Sequence, residues 1–160
     1  MSSKILAIVN PRASRCANED PATLLQEHLP GLELVSTEGA DDLVGFIRAQ
    51  IARHGPDRLV TCGGDGTVSA TITACAGSSI PVGILPGGTA NVFAKEVGIP
   101  FDYEDACAVI AAGHSAAFDA NRRSGSRISR RTSSCACRPL NLWTPSPMAR
   151  PCEGSITRCT

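Results

Sequence analysis

The chain has 160 residues, 42% hydrophobic and only 4% aromatic, with 15 basic and 15 acidic side chains. No apolar run approaches the ~20 residues a membrane span needs, and no basic-then-apolar signal opens the chain, so a cytoplasmic domain with at most peripheral membrane contact is expected. The zero net charge hides a split: residues 1–120 carry seven Lys/Arg against fourteen Asp/Glu, whereas residues 121–160 carry eight Arg, no Lys and the single acid Glu153.

The first element is the run Lys4-Ile5-Leu6-Ala7-Ile8-Val9-Asn10, stopped by Pro11. Continuous apolar, β-rich sequence of this kind belongs to a strand covered on both faces. Asp20-Pro21 then combines a capping carboxylate with a proline suited to a first helical turn, starting a helix to about His28. After Pro30-Gly31, Leu32–Ser36 reads as a second strand with Thr37 at its exit. Asp41 and Asp42 open a helix whose Leu43, Phe46, Ile47 and Ile51 fall on one face, and Gly55-Pro56 stop it. Arg58-Leu59-Val60-Thr61-Cys62 delivers a third strand into the turn Gly63-Gly64-Asp65-Gly66-Thr67, with a helix from about Val68 to Ala76. The pattern then repeats: strand Ile80–Leu85, turn Pro86-Gly87-Gly88-Thr89-Ala90-Asn91, and a helix from Val92. Asp102 caps a further helix with an Ala106, Val109 and Ile110 stripe up to Gly113, and residues 114–119 read as a strand.

Strands alternating with helices predict an α/β fold with a parallel sheet. Two successive strand–glycine-turn–helix units put both turns at the carboxyl ends of neighbouring strands, where open α/β sheets bind ligands. In the first turn, Gly63, Gly64 and Gly66 leave backbone N–H groups bare for a phosphate, and the following helix adds its positive end. Asp65 is the odd member, since a carboxylate in an anion cradle repels its guest unless a cation lies between them. That pairing points to a Mg²⁺-nucleotide. Taken alone, the turn equally fits a plain β-to-α connection with Asp65 as a helix cap, just as Asn10-Pro11 fits an ordinary turn pair and Thr37 a cap.

The pair of motifs, GGDGT followed by PVGILPGGTANVFAKEVGIP, with Ile8-Val9-Asn10-Pro11 upstream, resembles the diacylglycerol kinase catalytic domain family of lipid kinases over roughly residues 4–119. That family includes bacterial diacylglycerol and phosphatidylglycerol kinases and the sphingosine and ceramide kinases. The resemblance implies a Rossmann-like nucleotide-binding domain with helices on both faces of its sheet. It also implies that Mg²⁺-ATP donates its γ-phosphoryl to the hydroxyl of a membrane lipid such as diacylglycerol. The ATP site would be lined by Asn10, Pro11, Arg12, Ala13, Ser14, Thr37, Gly63, Gly64, Asp65, Gly66, Thr67, Val68, Ser69, Gly88, Thr89 and Asn91. Asp65 would organise the metal and is the candidate catalytic residue. The chain departs from the family at Ser69, where Asn is usual, at Val92, where Asp is frequent, and at Lys95, where Arg is frequent. The first two changes remove polar groups that could orient nucleotide or substrate, which bears on the identity of the acceptor, and they leave the phosphate cradle in place.

In the resembled family the strand near residue 119 leads into a second, all-β domain that supplies much of the lipid pocket, a catalytic base and a metal site. Residues 120–160 offer no strand alternation and no helical stripe, only Arg, Ser, Pro and Cys, and are expected to form a non-native or disordered tail. Arginine without lysine, the abrupt change in composition and the lost resemblance together suggest a reading-frame shift near residue 120. Restoring one base there should reveal a β-rich continuation. Cys135, Cys137, Cys152 and Cys159 lack zinc-knuckle spacing, and His28, His54 and His114 are scattered, so no further metal site is expected. The arginines have no aromatic interleaving beyond Trp143, so no nucleic-acid partner is expected, while an oligomer remains open. Two alternatives stand beside this reading. One is an inactive ATP-binding fragment, and the other is a small-molecule kinase of the NAD kinase or phosphofructokinase type, whose Gly-Gly-Asp-Gly turn is shared but which fits the second motif poorly.

Overall fold

The computed structural model describes residues 4–16, 20–119 and 139–143. In chain order these form β1 (Ile5–Val9), α1 (Pro21–His28), β2 (Leu32–Ser36), α2 (Leu43–His54), β3 (Arg58–Gly63), α3 (Asp65–Cys75), β4 (Val82–Pro86), α4 (Val92–Val97), α5 (Tyr103–Ala112), β5 (Ser115–Asp119) and β6 (Pro139–Trp143). The strands make one sheet in the order β2-β1-β3-β4-β6-β5, all parallel except β5, which runs antiparallel to β6. Helices α2 and α3 pack together over one face, and α1 packs with α5 over the other. Strand β3 is therefore covered on both sides, and Leu59, Val60, Thr61 and Cys62 are all fully buried. Its one buried hydroxyl is satisfied: Thr71 Oγ1 donates to Thr61 Oγ1 at 3.0 Å, tying α3 to the strand.

The helix boundaries follow local chemistry. Asp20 accepts from the N–H groups of Ala22 and Thr23 to start α1, Asp42 from Gly45 to start α2, and Asp102 from Glu104 and Asp105 to start α5. Gly55, Gly98 and Gly113 end α2, α4 and α5 in the left-handed conformation, each donating its N–H back into the helix. Helix α3 is the exception and corrects the expected start near Val68. It begins at Asp65, with Gly64 at the N-cap and no side chain capping it. Half of the expected glycine turn is thus the first turn of the helix.

The second correction concerns the tail. Residues 139–143, expected to form no strand, add β6 between β4 and β5. Leu142 pairs with Val82 across the parallel ladder, and both Leu142 and Trp143 are buried. The receiving slot is made by Gly83, where a Cβ would meet Trp143 Cζ3 at 2.8 Å and Ile110 Cγ1 at 3.0 Å. A bare backbone position on a central strand is a place for a large ring to lie flat. The rest of the tail expectation, residues 120–138 and 144–160 with Cys135, Cys137, Cys152 and Cys159, lies outside the described residues.

Candidate functional site

From β1 the chain moves outward to β2, then returns past β1 to β3 on the other side. The strand order reverses between β1 and β3, and the carboxyl edge at such a switch point is where open α/β sheets take ligands. Asn10 leaves β1 there and the Gly63–Thr67 turn leaves β3. The two are joined, since Asn10 Nδ2 donates to Thr67 Oγ1 at 3.1 Å and Asn10 N to Cys62 O at 2.9 Å. Asn10 also builds its own loop, accepting from Arg12 N at 3.0 Å through its side chain and from Ala13 N at 3.1 Å through its carbonyl.

The two glycine turns touch backbone to backbone. Gly87 N donates to Gly63 O at 2.9 Å. A Cβ on Gly88 would lie 2.6 Å from Gly64 Cα, and one on Gly87 3.1 Å from Gly63 Cα. At Gly88 only glycine permits this approach, because the atom a Cβ would strike first, Gly64 Cα, is backbone and cannot swing away. Gly88→Ala is accordingly expected to part the turns and to cost about 1–3 kcal/mol. Chemical denaturation measures this, and an unchanged midpoint would show that the turns do not meet in solution.

The second turn is held by Asn91, which is 3% exposed and sits at φ 47°. Its amide closes on Gly88 from both sides, accepting from Gly88 N at 2.9 Å and donating to Gly88 O at 2.6 Å. Asn91 thus shapes the turn from within. Thr89 is exposed, and its hydroxyl lies 3.0 Å from that of Ser14, bridging the loop after β1 to the turn after β4. Arg15, which sequence reasoning did not single out, straps the same turn. Its N–H donates to Gly87 O at 2.9 Å, its guanidinium reaches Pro86 O and Phe101 O, and its Cζ stacks 4.3 Å from the Tyr103 ring centroid. No local motif announces such a role, because its partners are carbonyls distant in sequence.

Asp65 occupies the first position of α3, partly exposed, and its Oδ1 accepts from Phe93 N at 3.3 Å, so it caps α4 across the gap between the helices. The cap role is real but belongs to a neighbouring helix and not to its own. Among the described residues no basic side chain is ion-paired with it. Gly66 differs from the other turn glycines: a Cβ there would find open space. Of the remaining predicted residues, Pro11 and Arg12 are exposed and Ala13 is buried. Thr37 lies at the same edge one strand further out, its N–H held by Val9 O at 2.9 Å. Val68 is turned into the core, and Ser69 is exposed along α3.

Comparison with known proteins gives a consistent result. Residues 4–123 match the model of the diacylglycerol kinase catalytic domain. A protein of Mycobacterium tuberculosis named diacylglycerol kinase is 35% identical over 101 residues, 61% of this chain and 32% of its own length. An Escherichia coli protein named "Probable lipid kinase YegS" is 38% identical over 100 residues, 60% of this chain and 33% of its own. A solved structure of a diacylglycerol kinase from Bacillus anthracis superposes with a TM-score of 0.62 at 28% identity, covering 73% of this chain and 46% of that one. The chain spans about a third of the length of the curated relatives it matches.

Proposed function

The chain belongs to the diacylglycerol kinase catalytic domain family, and on that premise we propose that it forms the ATP-binding half of a lipid kinase. The observation that carries this reading is the meeting of the two glycine turns beside the switch point, next to a helix with no capping side chain. The first N–H groups of α3, at Asp65, Gly66 and Thr67, lack a capping acceptor and are available to phosphate oxygens. ATP fits this cradle because Gly66 is bare without any packing need for it, and Mg²⁺ fits because Asp65 sets a carboxylate, ion-paired with no basic side chain among the described residues, beside the same N–H donors. With Mg²⁺-ATP bound, the metal would neutralise charge on the phosphates. The chain's own part is to position: Asn10 and Thr67 brace the first turn, while Ser14 and Thr89 close the second.

The proposed acceptor is a membrane lipid hydroxyl reached by peripheral contact from the cytoplasmic side. Val92, next to the second turn, is 53% exposed and gives that edge an apolar side chain. Among the described residues no helix is long and apolar enough to cross a membrane. The test is transfer of label from γ-³²P-ATP to diacylglycerol in mixed micelles, run beside ATP-induced thermal stabilisation. Labelled lipid supports the kinase. Stabilisation without labelled lipid supports the second reading, a nucleotide-binding unit without turnover. Neither signal would end both.

Gly66 gives a sharper test, because fold and ligand make opposite demands on it. Ala in the first turn of α3 has room and favours the helix, so Gly66→Ala is expected to raise stability by up to about 0.5–1 kcal/mol. The same methyl would intrude on a phosphate, weakening ATP binding by roughly tenfold or more, about 1.4 kcal/mol. Calorimetric titration with Mg²⁺-ATP reads the second effect; equal affinity would remove Gly66 from the site.

A further inference from the structure

Beneath the second glycine turn two thiols meet. Cys16 Sγ lies 3.4 Å from Cys62 Sγ and 3.7 Å from the Tyr103 hydroxyl. Cys62 is fully buried and immediately precedes Gly63, while Cys16 is partly exposed and its sulfur fills the space where a Cβ on Gly87 would lie, 2.6 Å away. We propose that Cys16 and Cys62 form a peroxide-oxidisable dithiol, a modification site whose disulfide resets the two glycine turns above it.

The sulfurs sit 3.4 Å apart and need to close by only about 1.4 Å to reach disulfide length. In the first step the Cys16 thiolate attacks a peroxide oxygen, the O–O bond breaks, hydroxide leaves, and Cys16 becomes a sulfenic acid. In the second, Cys62 sulfur attacks the sulfenic sulfur, its proton joins the departing hydroxyl, and water leaves as the S–S bond forms. Two thiols have then given two electrons to one peroxide. Access and protonation suit this order. The Cys62 thiol donating to Cys16 sulfur, helped by the Tyr103 hydroxyl and the Arg15 charge and opposed by burial, lowers Cys16 to about 7. Cys62 is pushed up by that same hydrogen bond and by burial, so it keeps its proton until it resolves the sulfenic acid. Cys75 and Cys107 are pushed up to about 11, first by burial, and make poor competitors. A transient disulfide of this kind is compatible with a reducing compartment.

The consequence for the turns rests on the nucleotide reading above. Cys16 follows Ser14 and Arg15, which hold Thr89 and Gly87, so drawing Cys16 toward Cys62 pulls on both contacts. The experiment treats the full chain with one equivalent of hydrogen peroxide, blocks free thiols with N-ethylmaleimide, and maps tryptic peptides by mass spectrometry. The expected product is peptide 16–48 joined to peptide 59–95 through Cys62 and not Cys75, released by dithiothreitol and absent from Cys62→Ser. Cys16 recovered alkylated, over-oxidised, or joined to any other cysteine overturns the proposal, and the unmutated chain decides this even if Cys62→Ser fails to fold. Oxidation is further expected to reduce the thermal shift produced by Mg²⁺-ATP at least twofold. A shift that survives disulfide formation overturns the coupling to the turns. A reduced chain with no shift at all instead sinks the nucleotide reading, and the peptide map still stands.

Discussion

Asp65→Asn is expected to leave the fold nearly intact while weakening Mg²⁺-dependent ATP binding at least about tenfold, and with it any phosphoryl transfer. The substitution separates the two roles the carboxylate holds. As a cap, Asp65 offers one oxygen to Phe93 N, and the amide oxygen of Asn can accept the same bond. Asn and Asp cap about equally well, so the structural loss is the small helix-dipole contribution, about 0.3–1 kcal/mol. As a metal organiser, Asn lacks the negative charge that would draw a cation between this side chain and the phosphates. Asp65→Ala, by contrast, removes both roles and is expected to cost about 1 kcal/mol more stability than Asp65→Asn. Calorimetry with and without Mg²⁺, beside thermal melts of the three chains, reads every term. If Asn binds Mg²⁺-ATP as well as Asp does, the carboxylate is a cap for α4 and nothing more.

The elements that were legible in the sequence are those whose signals are local. β1 shows as an unbroken apolar run, α1, α2 and α5 by Asp20, Asp42 and Asp102 at their starts, and the ends of α2 and α5 by Gly55 and Gly113. The two glycine turns were also legible, because three glycines within four residues, or two side by side after a proline, have few other uses. What the sequence did not display is contact between distant segments. Arg15 braces a turn some seventy residues away through carbonyl groups, which every residue possesses, and so leaves no pattern. The Cys16–Cys62 pair is hidden for the same reason, since only the parallel pairing of β1 with β3 brings residue 62 beside the loop after β1. Asn91 reads as a ligand contact from motif likeness, yet its amide is engaged with Gly88 and shapes the backbone that ligands would meet. The start of α3 was missed because glycine and aspartate read as turn formers, whereas at an uncapped helix start they occupy the first helical positions.

Trp143→Ala is expected to cost about 3–5 kcal/mol, a large share of the 5–15 kcal/mol that holds a domain of this size together. The ring is 2% exposed, lies over Gly83 against Ile110, and has the Arg58 guanidinium carbon 5.6 Å from its centroid. Gly83 has no side chain with which to refill the space, so the cavity would stay open between β4 and α5. A fall in melting temperature of roughly 10 °C is the expected reading, and Trp143→Phe, which keeps a ring over Gly83, should recover much of it. Trp143 is also the single tryptophan of the chain, so its emission should shift to the red on unfolding and report the packing of β6 directly. The composition of residues 121–160 argues for the contrary outcome, because a segment so rich in arginine and proline offers few apolar side chains to fit a groove. The fit needs only two neighbouring apolar residues, Leu142 and Trp143, meeting the edge of β4 that β5 does not cover, and that demand is small enough for a sequence of any origin to meet. Unchanged melting in Trp143→Ala, with emission already red in the native chain, would detach β6 from the sheet. It would also leave the frame-shift proposal, decided by the coding DNA near residue 120, as the better account of the tail.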